Sequence, residues 1–281
     1  MKLLRYGEPG NEKPGLLDSD GNIRDISRHV ADLSDDALSP ASLYQLSRTD
    51  SDSFPIVSGS PRLGPSVGDV QRMICIGLNY SDHAEESGLP APAEPVIFVK
   101  SCAATGPNDD VTIPLGGEKT DWEVELGVVI GRRARHVEEK DALTYVAGYM
   151  IGHDVSERAF QLERGGQWTK GKSCEGFGPL GPWLVTADEV GDPQSLDMWL
   201  EVNGQRYQNG NTRNMIFSVA VIVSYLSKFM TLVPGDVILT GTPAGVGAGI
   251  KPTPKFLKPG DVVRLGIQRL GEQQQTFVAY T

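Results

Sequence analysis

The sequence predicts a mainly β protein of the α+β class, built on a rolled, largely antiparallel sheet. Two observations carry that expectation. Short apolar runs of strand length recur along the chain between turns rich in Gly, Pro, Asp and Asn, with no regular alternation of strand and helix. In addition, Pro234-Gly235-Asp236-Val237 and Pro259-Gly260-Asp261-Val262 are the same turn leading into the same kind of strand, each with a glycine suited to positive φ. Hydrophobic residues make up 39% of the 281 positions, enough for a full core.

In chain order, Leu3 to Tyr6, Pro14 to Leu17 and Asp20 to Ile26 read as a small antiparallel unit. A short helix is expected from Ser39 as N-cap and Pro40 as first helical residue through Leu43 and Leu46. Ser, Pro and Gly then dominate from Ser51 to Asp69, which places a boundary near residue 64: a small N-terminal domain and linker over 1–64 and a larger domain over 65–281. Beyond it the expected strands are Met73 to Gly77, Val96 to Lys100, Val111 to Ile113, Glu123 to Ile130, Val146 to Ile151, Trp183 to Val185, Met198 to Val202, Val237 to Leu239 and Val262 to Ile267. Helix is expected over Ser81 to Ser87, Glu138 to Tyr145, Ser156 to Glu163 and Met215 to Phe229.

Several function classes fall away on composition. The formal net charge is −10, and no Lys/Arg cluster interleaves with aromatics, so a nucleic-acid partner would be repelled. No apolar run reaches the length of a membrane span and the first residues lack the apolar stretch of a signal peptide, so no membrane partner and a cytoplasmic location are expected. Three scattered cysteines suggest neither a disulfide framework nor a zinc ribbon.

The chemistry centres on Asp121-Trp122-Glu123-Val124-Glu125-Leu126. In a strand, side chains alternate, so Glu123 and Glu125 share one face while Val124 and Leu126 take the other. Two carboxylates on a core-like strand are costly unless a cation neutralises them. The competing place for the pair is an exposed edge, solvated or paired with Arg132 and Arg133. A third carboxylate, Asp154, follows the apolar run Tyr149 to His153. Alternation lets only one of His153 and Asp154 join a site, and Asp154 is the choice, although it could instead cap the helix expected from Ser156. Three carboxylates suit Mg²⁺ or Mn²⁺ rather than zinc, and the four histidines form no His-Glu-x-x-His.

His83 and Glu86, three apart on the expected helix, can pair so that the carboxylate orients the imidazole as a base. Lys170 and Lys172 lie in a glycine-rich loop where a lysine could hold an oxyanion, Lys172 being the stronger choice. Thr240 to Gly249 follows a strand like a nucleotide loop, yet it lacks both the Gly-Lys-Ser/Thr ending and a following helix. Gly171 to Gly176 is one residue too long for a nucleophile elbow.

Together, Gly77 to His83, Asp121 to Leu126, His153 to Arg158, Lys172-Ser173 before Gly178-Pro179, and Gly235-Asp236 through Thr240 to Gly247 resemble the fumarylacetoacetate hydrolase family. The resemblance implies a β-rich catalytic domain with Glu123, Glu125 and Asp154 as Mg²⁺ or Mn²⁺ ligands. It further implies His83 and Glu86 as a general-base pair on a mobile lid, Lys172 as oxyanion and substrate-positioning group, and Arg158, Gln161 and Thr242 around a small anionic keto-acid substrate. A homodimer is also implied. The implied reaction is hydrolysis of a 2,4-diketo acid, with the general look nearest to members that cleave 2,4-diketo-3-deoxy-L-rhamnonate to pyruvate and L-lactate. Alternatives within the family are ureidoglycolate lyase, oxaloacetate decarboxylase and an isomerase of unsaturated diacids. A non-enzymatic metal-binding module with a decayed site is the alternative of another class.

Overall fold

The computed structural model describes residues 1–70 and 72–281. Its main sheet has nine strands in the order Ile23–Asp25, Lys13–Leu17, Lys2–Tyr6, Leu180–Thr186, Val146–His153, Val124–Ile130, Val237–Leu239, Met73–Gly77 and Val96–Lys100. Every pairing in it is antiparallel except that of Val237–Leu239 with Met73–Gly77. The first three strands extend this sheet at one edge, through the pairing of Lys2–Tyr6 with Leu180–Thr186. A five-stranded sheet, including Asp197–Val202, Val262–Ile267 and Gly271–Val278, packs on one face. The rolled, largely antiparallel β architecture expected from the sequence is therefore the observed one.

Alternation along the central strands builds two cores. From Met73–Gly77, Ile74 and Ile76 join Val124, Leu126, Val128 and the five-stranded sheet's Leu200, Leu265 and Phe277. Met73 and Cys75 take the opposite face, with Val129, Met150, Leu239 and the N-terminal Leu16, Leu33 and Phe54. Strands buried on both faces read as continuous apolar runs, which is why they were legible.

Local chemistry placed other boundaries. The Pro40–Ser47 helix opens as expected, with Ser39 Oγ accepting from Ser42 N–H, and Gly235 and Gly260 have φ of 86° and 95°. Three helix expectations need correction. The last long helix spans Val219–Phe229 rather than starting at Met215, because Asn79 captures the backbone N–H groups of Ile216 and Phe217 and Ser218 caps the helix. Ser156–Glu157 is a short strand against Thr120–Asp121, so the helix is only Arg158–Leu162, capped by Glu157. Glu139–Tyr145 is a 3₁₀ helix. The sequence reading also omitted the strands Gln205–Asn211 and Gly271–Val278, which carry polar residues on both faces and so show little apolar alternation.

Candidate active site

Val124 and Leu126 point into the main core, so Glu123 and Glu125 emerge together on the other face of the strand, as alternation requires. The antiparallel partner Val146–His153 ends beside them, with Val124 opposite His153, and the next residue is Asp154. One ligand oxygen from each of Glu123, Glu125 and Asp154 lies within 4.8 Å of the others, and all three residues are buried. The exposed-edge alternative is thereby removed, as is the helix-cap role for Asp154. His153 faces away, with Nδ1 2.8 Å from Gln275 Oε1.

Cations meet these carboxylates from three elements. Lys172 Nζ donates to Glu123 Oε2 at 2.7 Å and to Asp154 Oδ2 at 2.6 Å. It is on a short helical turn, Thr169–Lys172, rather than in a loop, and it is buried, whereas Lys170 is exposed and caps Arg164 O. Lys100, the last residue of Val96–Lys100, donates to Asp154 Oδ1 at 2.5 Å and to Val155 O at 2.9 Å. Arg158 donates to Glu123 Oε1 at 2.6 Å, to Asp121 Oδ2 at 2.8 Å and to Gln161 Oε1 at 3.0 Å.

The electrostatics separate the two glutamates. Burial alone would raise both, but Lys172 and Arg158 outweigh it at Glu123 and hold that carboxyl at about 2. Among the described residues, Glu125 has no ammonium or guanidinium partner, only the Gly241 N–H at 2.8 Å, and burial with Asp154 and Glu123 nearby pushes it well above the usual carboxylate range. Burial pulls Lys172 down, yet Asp154 and Glu123 more than compensate and raise it. Counting charges, Asp121, Glu123, Glu125 and Asp154 face Arg158, Lys172 and Lys100, so one carboxylate is left over. An all-oxygen donor set with an uncompensated member fits a hard divalent cation.

His83 and Glu86 are on the Ser81–Ser87 helix, with Nδ1 3.1 Å from Glu86 Oε2. A carboxylate only accepts, so Nδ1 carries the proton and Nε2 is left as the basic nitrogen. Glu86 is held from behind by Gly245 N–H at 2.9 Å. The glycine loop that superficially suggested a phosphate cradle spends its amides on the protein's own acids: Gly241 on Glu125, Gly245 on Glu86, Gly247 and Ala248 on Asp121. Gly245 has φ of 105°, and a Cβ there would lie 2.0 Å from Tyr207 O, so only glycine delivers that N–H.

His83, Glu86, Glu123, Glu125, Arg158, Gln161, Lys172 and Thr242 all line one cavity of about 300 Å³, whose other wall includes Leu78, Phe98 and Trp168. Asp154 is not part of that lining and is held by Lys100 and Lys172. Thr242 spends its hydroxyl proton on Val124 O and accepts from Gln208 Nε2. Three contributors escaped the sequence reading. Lys100 had a usable signal, since alternation puts it on the same face as Phe98 and opposite the exposed Val99. Asp121, two residues before Glu123, shares that face too but serves Arg158. Gln208 gave no signal, because its strand was itself missed.

The sequence profile of the fumarylacetoacetate (FAA) hydrolase C-terminal family matches residues 72–278. A Burkholderia multivorans protein that carries only a provisional hydrolase name is 63% identical over 276 residues, 98% of each chain. Among solved structures, maleylpyruvate hydrolase from Sphingobium sp. SYK-6, determined with manganese(II) and pyruvate, has a TM-score of 0.82 at 28% identity over 100% of both chains. The 2-hydroxyhepta-2,4-diene-1,7-dioate isomerase from Mycobacterium marinum has a TM-score of 0.75 at 33% identity, covering 99% of this chain and 98% of that one. With the profile matched over most of its length and a relative this similar end to end, the chain belongs to the fumarylacetoacetate hydrolase family.

Proposed function

We propose that the chain is a divalent-metal-dependent hydrolase that cleaves a carbon–carbon bond of a 2,4-diketo acid, releasing pyruvate and a carboxylic acid. The observation that carries this reading is that the oriented His83–Glu86 pair and the Glu123, Arg158 and Lys172 cluster face one cavity of small-ligand size. Glu123, Glu125 and Asp154 would hold Mg²⁺ or Mn²⁺, which when bound supplies Lewis acidity to the keto-acid head. The maleylpyruvate hydrolase solved with manganese(II) and pyruvate supports both the ion and the product.

The protein's own groups account for the remaining steps. Arg158 and the Gln161 amide orient the carboxylate head. His83 Nε2 takes a proton from water as the water oxygen bonds to C4. The C3–C4 bond then breaks, its electron pair passes to C3 as the enolate of pyruvate, and His83 returns the proton to C3. Lys172 stabilises the negative oxygen that develops on the way. Glu86 keeps the imidazole in the required tautomer and offsets its transient charge.

The test is pyruvate release from 2,4-diketo acids with Mg²⁺ or Mn²⁺, with 2,4-diketo-3-deoxy-L-rhamnonate assayed first. His83→Ala should lower kcat by about 10²- to 10⁴-fold while leaving Mn²⁺ binding intact. Turnover that survives in His83→Ala or in chelator overturns the reading. Conversion of an unsaturated 2-hydroxy diacid without cleavage would instead favour an isomerase.

A further inference from the structure

Three cations line the cavity: Arg158, Lys172 and Lys251. Two of them are already neutralised, Arg158 by Asp121 and Glu123, Lys172 by Glu123 and Asp154. Lys251 is exposed and, among the described residues, makes no hydrogen bond or ion pair. Glu123 and Glu125 are 4% and 2% exposed while Lys251 is exposed, so Lys251 marks the outer end of the cavity and the glutamates the inner one.

Its placement is built by the chain. Gly247 O accepts from both Ile250 N–H and Lys255 N–H, which folds the segment around Lys251 into a closed loop, and Pro252 restricts the residue before it. The same cavity is also lined by the apolar side chains of Leu78, Leu89, Phe98, Leu162 and Trp168. An acidic chain of net charge −10 repels anions in general, so an unpaired cation at the mouth of a keto-acid cavity is informative about the ligand.

We infer that Lys251 is an anion site for the far end of the substrate, which makes the preferred substrate a dicarboxylate: a keto-acid head at the buried acids, an uncharged apolar stretch, and a second carboxylate at Lys251. The inference rests on the proposed keto-acid reading of the inner site and adds the chemistry of the tail. It sets a charged-tail diketo acid above the sugar-derived one, whose hydroxylated tail carries no charge.

Binding, scored apart from cleavage, tests it. Calorimetry with Mg²⁺ present would compare 2-oxoadipate with 2-oxohexanoate, equal in chain length and differing in the terminal carboxylate. The wild-type protein should bind the dicarboxylate about two- to fivefold more tightly, the scale of one exposed ion pair, and the preference should shrink as salt rises. Lys251→Gln should bring the ratio near one, Lys251→Glu should invert it, and Lys251→Arg should retain it. Equal binding of the two acids by the wild type, binding of neither, or a preference that survives Lys251→Gln overturns the inference. Failure of the hydrolase reading would show separately, as absent pyruvate release from any 2,4-diketo acid.

Discussion

Glu125→Gln should make the metal-free protein more stable and the metal-loaded protein less so. Glutamine keeps an acceptor for the Gly241 N–H but removes the carboxylate that lacks a cationic partner. Two unit charges within 4.8 Å of each other at an effective dielectric near 20 repel by at least about 3.5 kcal/mol. Taking up a proton relieves that repulsion, so the net cost to the folded protein is smaller. Substitutions that relieve a strained functional site typically stabilise by about 1 to 2 kcal/mol, or roughly 2 to 8 °C in Tm for a chain of this size. Metal reverses the order: at a hundred times its Kd an ion stabilises the wild type by about 2.7 kcal/mol, while the variant has lost a ligand. The pH dependence has a definite sign. Burial with Asp154 and Glu123 raises the Glu125 carboxyl in the folded state, so its contribution is full at low pH and is lost as pH rises through the folded value. The wild-type deficit in chelator should therefore widen toward alkaline pH. Thermal melts of both proteins from pH 5 to 9, with chelator and with Mg²⁺, measure this. A metal-free variant no more stable than the wild type at pH 8 refutes the charge accounting.

Two further outcomes follow from particular contacts. A Cβ on Gly249 would lie 2.3 Å from Glu86 Cδ, so Gly249→Ala should displace the carboxylate that orients His83 and lower kcat by about ten- to a hundredfold, with Mn²⁺ affinity unchanged; a variant that only melts earlier, with normal kcat, counts against that buttress. His153 is lowered to about 4 by burial, which Gln275 and nearby acids only partly offset. A depressed group stabilises above its unfolded value, and 6.5 minus 4 is 2.5 units, so about 3 kcal/mol should drain between pH 6.5 and 4. Urea unfolding of the wild type and His153→Met across that range should show the slope in the former alone.

How much of this was readable beforehand depended on the range of the interactions. Alternation along Glu123 to Ile130 and the helical spacing of His83 and Glu86 are short-range, and the structure keeps both. Residues Ser156 to Glu163 were misread as one helix because Ser156 and Glu157 find strand partners 35 and 37 positions upstream, at Asp121 and Thr120, which no local pattern announces. Lys172 read as an ambiguous loop lysine because its burial depends on packing against the strand that ends at Lys100.

By itself, the sequence determined the apolar strands, the turns that separate them, and the two glutamates on one strand face, because each is set by backbone geometry over a few residues. Only tertiary structure decided the charge balance. Lys100, Arg158 and Lys172 come from three separate elements, and which carboxylate each one satisfies follows from how one strand end and two short helices are brought beside the acids. Among the described residues, the fold leaves Glu125 without a cationic hydrogen-bond partner and the loop residue Lys251 without an anionic one. Burial is what gives the Glu125 charge its force, since an ion removed from water must be compensated by whatever the fold brings beside it.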